Sequence, residues 1–551
     1  MLLDKLGKSL TIIFWLIPPV VFIVFVGTFA QNLIVLDDYN MIGNPFAGYL
    51  KADSFSETIK VIFSQQNEYR FPILSSLSIL QYNLFGEIKF NYYPIYGNLA
   101  VFGMCALVLY VFSRGRGYKK LLPIVYLMFP LHIYIIIAWA NASCQYLPAL
   151  CYSLLTMYLL AQDNKKLRNI AFLTGFLGAF SFGSGLFGIL FGMAVLLIKK
   201  SYKFFFIWLV FSGVIFLVYF MDYRQTLSEG ALNNLFYKTS DVILGFLYVW
   251  GGWSDLFYSS SKFWLNTVPM IAGIITAGLV IWVAIKALLV IIKDRTDVTA
   301  IFTLGAIGFL LFTTAVIAIS RIGDDPEYTM LVSNHRYYSF IGLGIVYGWF
   351  VDKLSLLQRR IILTGIVAVY VLSIFRFTES ASDRAKLLAT EKFNHYKNGL
   401  HEKHQYYADY YVFQKSIDKA LKESGAYVFP ATEIHKNWDL INDFSLSENQ
   451  NYSITYDQAE SGMYLVEENA GGKVLDGTYY LLRSEDKMYA FYPKRKVLES
   501  RNPFALSNEF DVFILKLDLE EGVYELVICK YNDDVPTYFS TDIVWNVRHG
   551  S

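Results

Sequence analysis

Apolar runs long enough to cross a bilayer recur along this chain, and every second connection between them is short and basic. A helix needs roughly 20 apolar residues to span the hydrocarbon core. By that measure about eleven spans are expected, near residues 10–30, 93–113, 121–139, 147–161, 169–183, 185–198, 204–220, 265–291, 298–319, 337–351 and 361–376. With 55% apolar and 17% aromatic residues, the composition excludes an ordinary soluble protein. The basic connections are Arg114-Gly115-Arg116 with Lys119-Lys120, Lys165-Lys166 with Arg168, Lys199-Lys200 with Lys203, Lys293 with Arg295, and Lys353 with Arg359-Arg360, while Lys5 and Lys8 precede the first run. The positive-inside rule sends all of them to the cytoplasm together. The loops 31–92, 221–264 and 320–336 and the tail from 377 are then expected on the outer side. The first run is long and ends without a small-residue cleavage site, so it reads as an anchor. Gly175, Gly178, Gly183, Gly185, Gly188 and Gly192 are expected to serve close helix packing.

Directly after the first run stands Val35-Leu36-Asp37-Asp38-Tyr39. Carboxylates at the mouth of a membrane helix are costly to hold beside lipid, which marks Asp37 and Asp38 as candidate functional groups. Ser54-Phe55-Ser56-Glu57 is a capping box opening a helix with Phe55, Ile59, Ile62 and Gln66 on one face. That helix is expected to lie on the bundle or along the membrane surface. Gln65 to Phe71 breaks the pattern, Pro72 starts a second helix at its first turn, and Gly86 stops it. Two short helices around a polar elbow make a cradle for a lipid head group.

The Asp37-Asp38 pair in this position resembles the acidic signature of GT-C glycosyltransferases, membrane enzymes that take sugars from polyprenyl-phosphate donors. Asn67-Glu68-Tyr69-Arg70 resembles the Asn-Glu-His-Arg elbow of a broad set of bacterial membrane proteins, with Tyr69 in place of His. Ser320-Arg321-Ile322-Gly323 and Asn334-His335-Arg336-Tyr337 stand where that set has a Gly-Arg and a Ser-Arg-Tyr before a late span. The resemblance covers residues 1–376. It implies a polytopic α-helical membrane fold of GT-C type, with its site built from the first external loop at 31–92.

Inverting glycosyl transfer needs a carboxylate base within reach of the acceptor hydroxyl and cations for the departing phosphate. Asp38, Asp37 and Glu68 are the candidate catalytic carboxylates. Arg70, Arg321, His335 and Arg336 are the candidates for holding the donor phosphate, arginine being suited to bidentate contact. Asn67, Gln145 and Trp253 are candidates for contacting the acceptor or sugar. Bland readings stand beside these: Asp38 as a helix terminator, Glu68 and Arg70 as an ion pair, Asn141 and Gln145 as caps, Trp253 as an interfacial anchor. Asp324-Asp325-Pro326-Glu327 reads as a solvated turn. The carboxylate pair is the one place for a divalent cation; no metal is assigned there.

The tail 377–551 reads as a separate soluble domain. A helical stretch, 381–422, precedes short alternating runs at 479–482, 488–492, 510–517, 522–529 and 543–547, the pattern of an α+β or β-sandwich domain. His401-Glu402-Lys403-His404 is one residue short of the zinc-protease spacing. Cys144 and Cys529 fall on the same expected side but far apart in sequence, and a disulfide between them is not expected. A formal charge of +1 and the absence of a basic aromatic patch give no sign of nucleic acid.

Three functions compete. The favoured one is a hexosyltransferase of the bacterial inner membrane that moves a sugar from an undecaprenyl-phosphate donor onto a surface polysaccharide such as O-antigen, on the periplasmic face. The resemblance is closest in function to serotype-converting glucosyltransferases, and it implies partners that load and flip the donor. A polysaccharide polymerase and a lipid-carrier flippase or transporter are the alternatives. Against the transporter, charges gather at span ends and no internal repeat is visible.

Overall fold

The computed structural model describes residues 8–113, 117–224, 234, 236–256, 263–322, 326–398, 408–430, 453–459, 462–468, 478–495, 509–516, 519–532 and 535–548. Among these, eight helices are long and apolar enough to cross a membrane, which makes the chain a polytopic helical membrane protein. In order, the helices are α1 (Lys8–Phe29), α2 (Asn44–Tyr49), α3 (Phe55–Ile62), α4 (Pro72–Phe85), α5 (Tyr93–Ser113), α6 (Leu122–Met128), α7 (Tyr134–Ala138), α8 (Ala140–Ala161), α9 (Lys165–Ala179) and α10 (Ser184–Ile198). They continue with α11 (Tyr202–Phe220), α12 (Thr239–Gly251), α13 (Val268–Lys293), α14 (Val298–Arg321), α15 (Pro326–Met330), α16 (Ser333–Phe350), α17 (Leu356–Asn398) and α18 (Ala408–Glu423).

Helix occupies each of the eleven apolar runs, but α9, α10 and α16 are not among the eight. The first two have 15 residues each, about 22 Å at 1.5 Å per residue, short of a hydrocarbon core of about 30 Å. α16 opens with the polar run Ser333-Asn334-His335-Arg336. Within the run 118–138, α6 and α7 are separated by a break at Phe129-Pro130, because Pro130 removes a backbone donor. An apolar helix, α12, lies inside the stretch 221–264 expected as a loop. It packs on α13 through two glycines, a Cβ on Gly251 falling 1.8 Å from the Pro269 carbonyl oxygen.

The glycines of α9 and α10 serve close approach. A Cβ on Gly185 would fall 1.9 Å from the Gly178 oxygen, and one on Gly188 would fall 2.3 Å from Ser153 Oγ, so only glycine lets these helices meet. α8 is buried along nearly its whole length and packs against α5, α9 and α10. By contrast α1 and α11 turn Ile, Leu, Val and Phe outward, as helices in contact with lipid do.

The chain divides into two compact units, residues 1–31, 40–257 and 262–379 in one, and 32–39, 258–261 and 380–551 in the other. The boundary near 379 falls inside α17. In the second unit two antiparallel sheets form, ordered β10-β9-β5-β6 and β3-β4-β8-β7. Their strands are β3 (Ser453–Ala459), β4 (Gly462–Glu468), β5 (Thr478–Arg483), β6 (Met488–Phe491), β7 (Lys494–Arg495), β8 (Phe510–Leu515), β9 (Gly522–Asn532) and β10 (Val535–Val547). Met463, Leu465 and Ile514 from one sheet share a core with Tyr480, Leu482, Leu526 and Ile528 from the other. The opposite face of the β9–β5 sheet packs Leu481, Val527 and Cys529 around Phe393 of α17. The sheet is therefore buried on both faces, which is why β5 reads apolar almost throughout rather than alternating. β10 extends well before the expected 543–547, its register shifting between Ser540 and Val544. All four cysteines are free thiols, so Cys144 and Cys529 are not bridged. The segment 401–404 and residues 323–325 lie outside the described residues.

Candidate functional site

The polar elbow folds as a miniature hairpin. β1 (Gln65–Gln66) pairs antiparallel with β2 (Tyr69–Arg70), and Asn67 takes φ +50° in the turn, a conformation Asn tolerates better than most residues. The flanking helices obey their local signals. Ser54 Oγ accepts from the Glu57 N–H at 3.2 Å, and Glu57 accepts from the Asp53 N–H at 2.8 Å. Pro72 is the first residue of α4, and Gly86 ends it in the left-handed region at φ +74°.

Arg70 anchors this hairpin. Its guanidinium donates to the carbonyl oxygens of Tyr219 at 2.7 Å, of Phe63 and of Met221, and the residue is buried. Tyr219 and Met221 lie at the C-terminus of α11, where helix carbonyls lack intrahelical partners and a cation is favourable. Gln65 adds a second tie, donating to the Arg224 carbonyl and accepting from the Arg224 N–H at 2.9 Å. Each of the three guanidinium nitrogens of Arg70, expected to face a phosphate, donates here to a main-chain oxygen.

Held this way, Glu68 and Tyr69 face Arg321 at the end of α14. The Arg321 Nη2 lies 3.5 Å from Glu68 Oε2 and 3.4 Å from the Tyr69 hydroxyl. The three border a cavity of about 250 Å³, with Tyr146, Phe182, Ser184, Tyr223 and His335 among its walls. The Tyr69 ring packs tilted against Phe182, centres 4.8 Å apart, and a Cβ on Gly183 would stand 2.7 Å from the Tyr69 ring, so glycine is needed there. Burial holds the Tyr69 phenol above its ordinary value, with Arg321 pulling it down and Glu68 raising it. Tyr69 therefore stays protonated at neutral pH and keeps a proton to donate. Tyr223 is raised likewise, by burial and then by Glu68. His335 is buried with Nδ1 lacking a partner.

The Arg321 side chain is 50% exposed and Glu68 19%. A pair this open is weak, and it leaves guanidinium donors available to an anion. Comparison of the chain with known protein families, curated proteins and solved structures finds no match. The chemistry of the site therefore rests on its own residues.

The remaining candidates fall elsewhere. Arg336 forms an ion pair with Asp255 and donates to the His132 carbonyl at 3.3 Å, while its Nε is buried without a partner; it does not line the Glu68–Arg321 cavity. Gln145 is buried and donates to Asn141 one turn away, so its amide is satisfied within α8. Trp253 donates to Thr276 Oγ1 at 2.9 Å and walls a different, apolar cavity. Asn67 is a turn residue whose carbonyl accepts from Gln65 at 2.6 Å.

Asp37 and Asp38 belong to the second unit. Asp38 is fully buried, and its carboxylate accepts from the Val35 N–H at 3.1 Å across a turn with Leu36 at φ +44°. It offers no surface to an acceptor. Tyr39, beside it, accepts from Lys392 Nζ at 3.1 Å, with the ammonium 4.8 Å from its ring centre. Asp37 is exposed. Among the described residues no group of three or more His, Cys, Asp or Glu is placed to hold a metal ion.

Tyr223 and Ser184 carry no motif in the sequence. Tyr223 follows Asp222, whose φ of +53° turns the chain back after α11, and only that turn brings it to Glu68.

Proposed function

We propose that the chain is a GT-C type glycosyltransferase that moves one sugar from an undecaprenyl-phosphate donor onto a surface polysaccharide such as O-antigen. What supports this reading best is the open Glu68–Arg321 pair, 3.5 Å apart, at the mouth of a cavity in the membrane-embedded unit. Arg321 holds the lipid phosphate. Glu68 accepts the proton of the acceptor hydroxyl as its oxygen bonds to the anomeric carbon. The bond from that carbon to the phosphate oxygen breaks, its electron pair staying on the phosphate beside Arg321. Tyr69 and the ring of Phe182 flank the sugar. The positive-inside pattern supports reading this end of the helices as periplasmic, and the donor comes from partners that load and flip it.

The test is surface-glycan composition by mass spectrometry in a deletion strain carrying wild-type, Glu68→Gln or Arg321→Ala protein at matched membrane levels. Loss of one hexose-sized branch, restored by wild type and by neither variant, is the expected result. Unchanged branching with altered chain length points to polymerisation, and full restoration by both variants overturns the assignment.

A further inference from the structure

A second cavity, of about 550 Å³, lies between α6, α13, α16 and α17. It shares no lining residue with the Glu68–Arg321 cavity. Its walls are almost wholly apolar or aromatic, including Tyr126, Trp282, Phe340, Phe350 and Ile366, and among the described residues no Asp, Glu, Lys or Arg lines it. Trp282 is 46% exposed and sits on the same helix as outward-facing Ile271, Ile275, Ile285 and Ile292. The cavity is thus continuous with the lipid-facing surface of α13.

One end is polar. His132, just after the break between α6 and α7, is 1% exposed and lines the cavity beside Trp253. Neither of its ring nitrogens makes a hydrogen bond of good geometry, although the Trp253 main chain stands near. Phe340 and Phe377 pack on the ring at 4.7 Å each, which fixes its direction. A buried, unsatisfied imidazole at membrane depth calls for a partner. From Phe340 to Phe350 the cavity follows α16 for about 15 Å at 1.5 Å per residue, which is half of a hydrocarbon core of about 30 Å.

We propose that this cavity holds one acyl chain of a membrane glycerophospholipid, with the ester region of that lipid at His132. An acyl chain about half a hydrocarbon core long fills it. The uncharged lining keeps the phosphate outside, and His132 meets a carbonyl or hydroxyl oxygen. The site is independent of glycosyl transfer.

Gly365 provides the test. It lines the cavity, and a Cβ built on it meets nothing within 4 Å, so a large side chain enters empty space. Full-length protein is reconstituted in phosphatidylethanolamine–phosphatidylglycerol nanodiscs, released into detergent and weighed by native mass spectrometry. Wild type and Gly365→Ala are expected to retain one phospholipid. Gly365→Phe is expected to retain it roughly tenfold less or worse, with an unchanged melting temperature. Equal retention by Gly365→Phe, no retention by wild type, or an isoprenoid as the retained lipid overturns the proposal. Should Gly365→Phe fail to fold, photolabelling of wild type with a diazirine-tailed phospholipid decides: label on 343–350 and 362–369 supports the site, and its absence there overturns it.

Discussion

The Arg321 guanidinium reaches the Glu68 carboxylate at 3.5 Å, joining positions 253 residues apart in sequence. The contact is loose, and its openness is what separates Arg321 from Arg70 and Arg336. Removing it therefore affects ligand chemistry more than folding. Arg321→Ala is expected to leave stability within about 1 kcal/mol while reducing sugar transfer on the order of 100-fold. Thermal unfolding in detergent and glycan mass spectrometry on one preparation measure both.

Arg70 has the opposite signature. Truncation to Ala leaves the carbonyls of Tyr219, Phe63 and Met221 without their donor. A loss on the order of 3 kcal/mol is expected, with Arg70→Lys recovering only part of it because an ammonium cannot match three acceptors through a planar fork. Unfolding midpoints of the two variants rank the effect.

Asp38 separates the structural reading from the catalytic one. Asp38→Asn keeps an oxygen for the Val35 N–H and is expected to retain transfer. Asp38→Ala loses that acceptor and is expected to destabilise by about 1–2 kcal/mol. Abolished transfer in a stable Asp38→Asn protein would return this carboxylate to the reaction.

Gly86 isolates backbone conformation. Its φ is +74°, and a Cβ added there meets nothing within 4 Å. Gly86→Ala therefore meets no clash and is expected to cost about 1–2 kcal/mol from the left-handed conformation alone. At Asn67, with φ +50°, Asn67→Gly is expected to be nearly neutral and Asn67→Val destabilising. Melting curves of the three variants check the order.

Tyr464 gives the second unit an alkaline limit. Burial, then its hydrogen bond to Asp511, pushes its phenol from 10.0 up to about 12. Because the folded state holds this proton more tightly, the associated stability is complete below pH 10 and is lost as pH rises through about 12. Tyr464→Phe is expected to lose less stability than wild type across that interval, as read by urea unfolding at each pH.

Much of the elbow was legible from neighbours in sequence. Ser54 with Glu57, Pro72 and Gly86 act within one helical turn, so their spacing alone announces where α3 and α4 begin and end. The strands at 453–468 escaped because alternation there is masked by polar residues, and α12 escaped because a 13-residue apolar helix is too short to read as a span. Of the candidate site, Glu68, Arg321 and His335 meet around one cavity, while Arg70, Arg336, Gln145 and Trp253 answer to other partners.

Apolar length, written in consecutive residues, determined by itself that this chain lives in a membrane and where its eight long helices run. Which arginine faces a cavity and which caps a helix was decided only in three dimensions. Arg70 and Arg321 are chemically identical, and the difference lies in the acceptors that distant segments bring to them. The turn at Asp222 and the end of α11 give Arg70 its carbonyls. The end of α14 leaves Arg321 with one loose carboxylate and open donors.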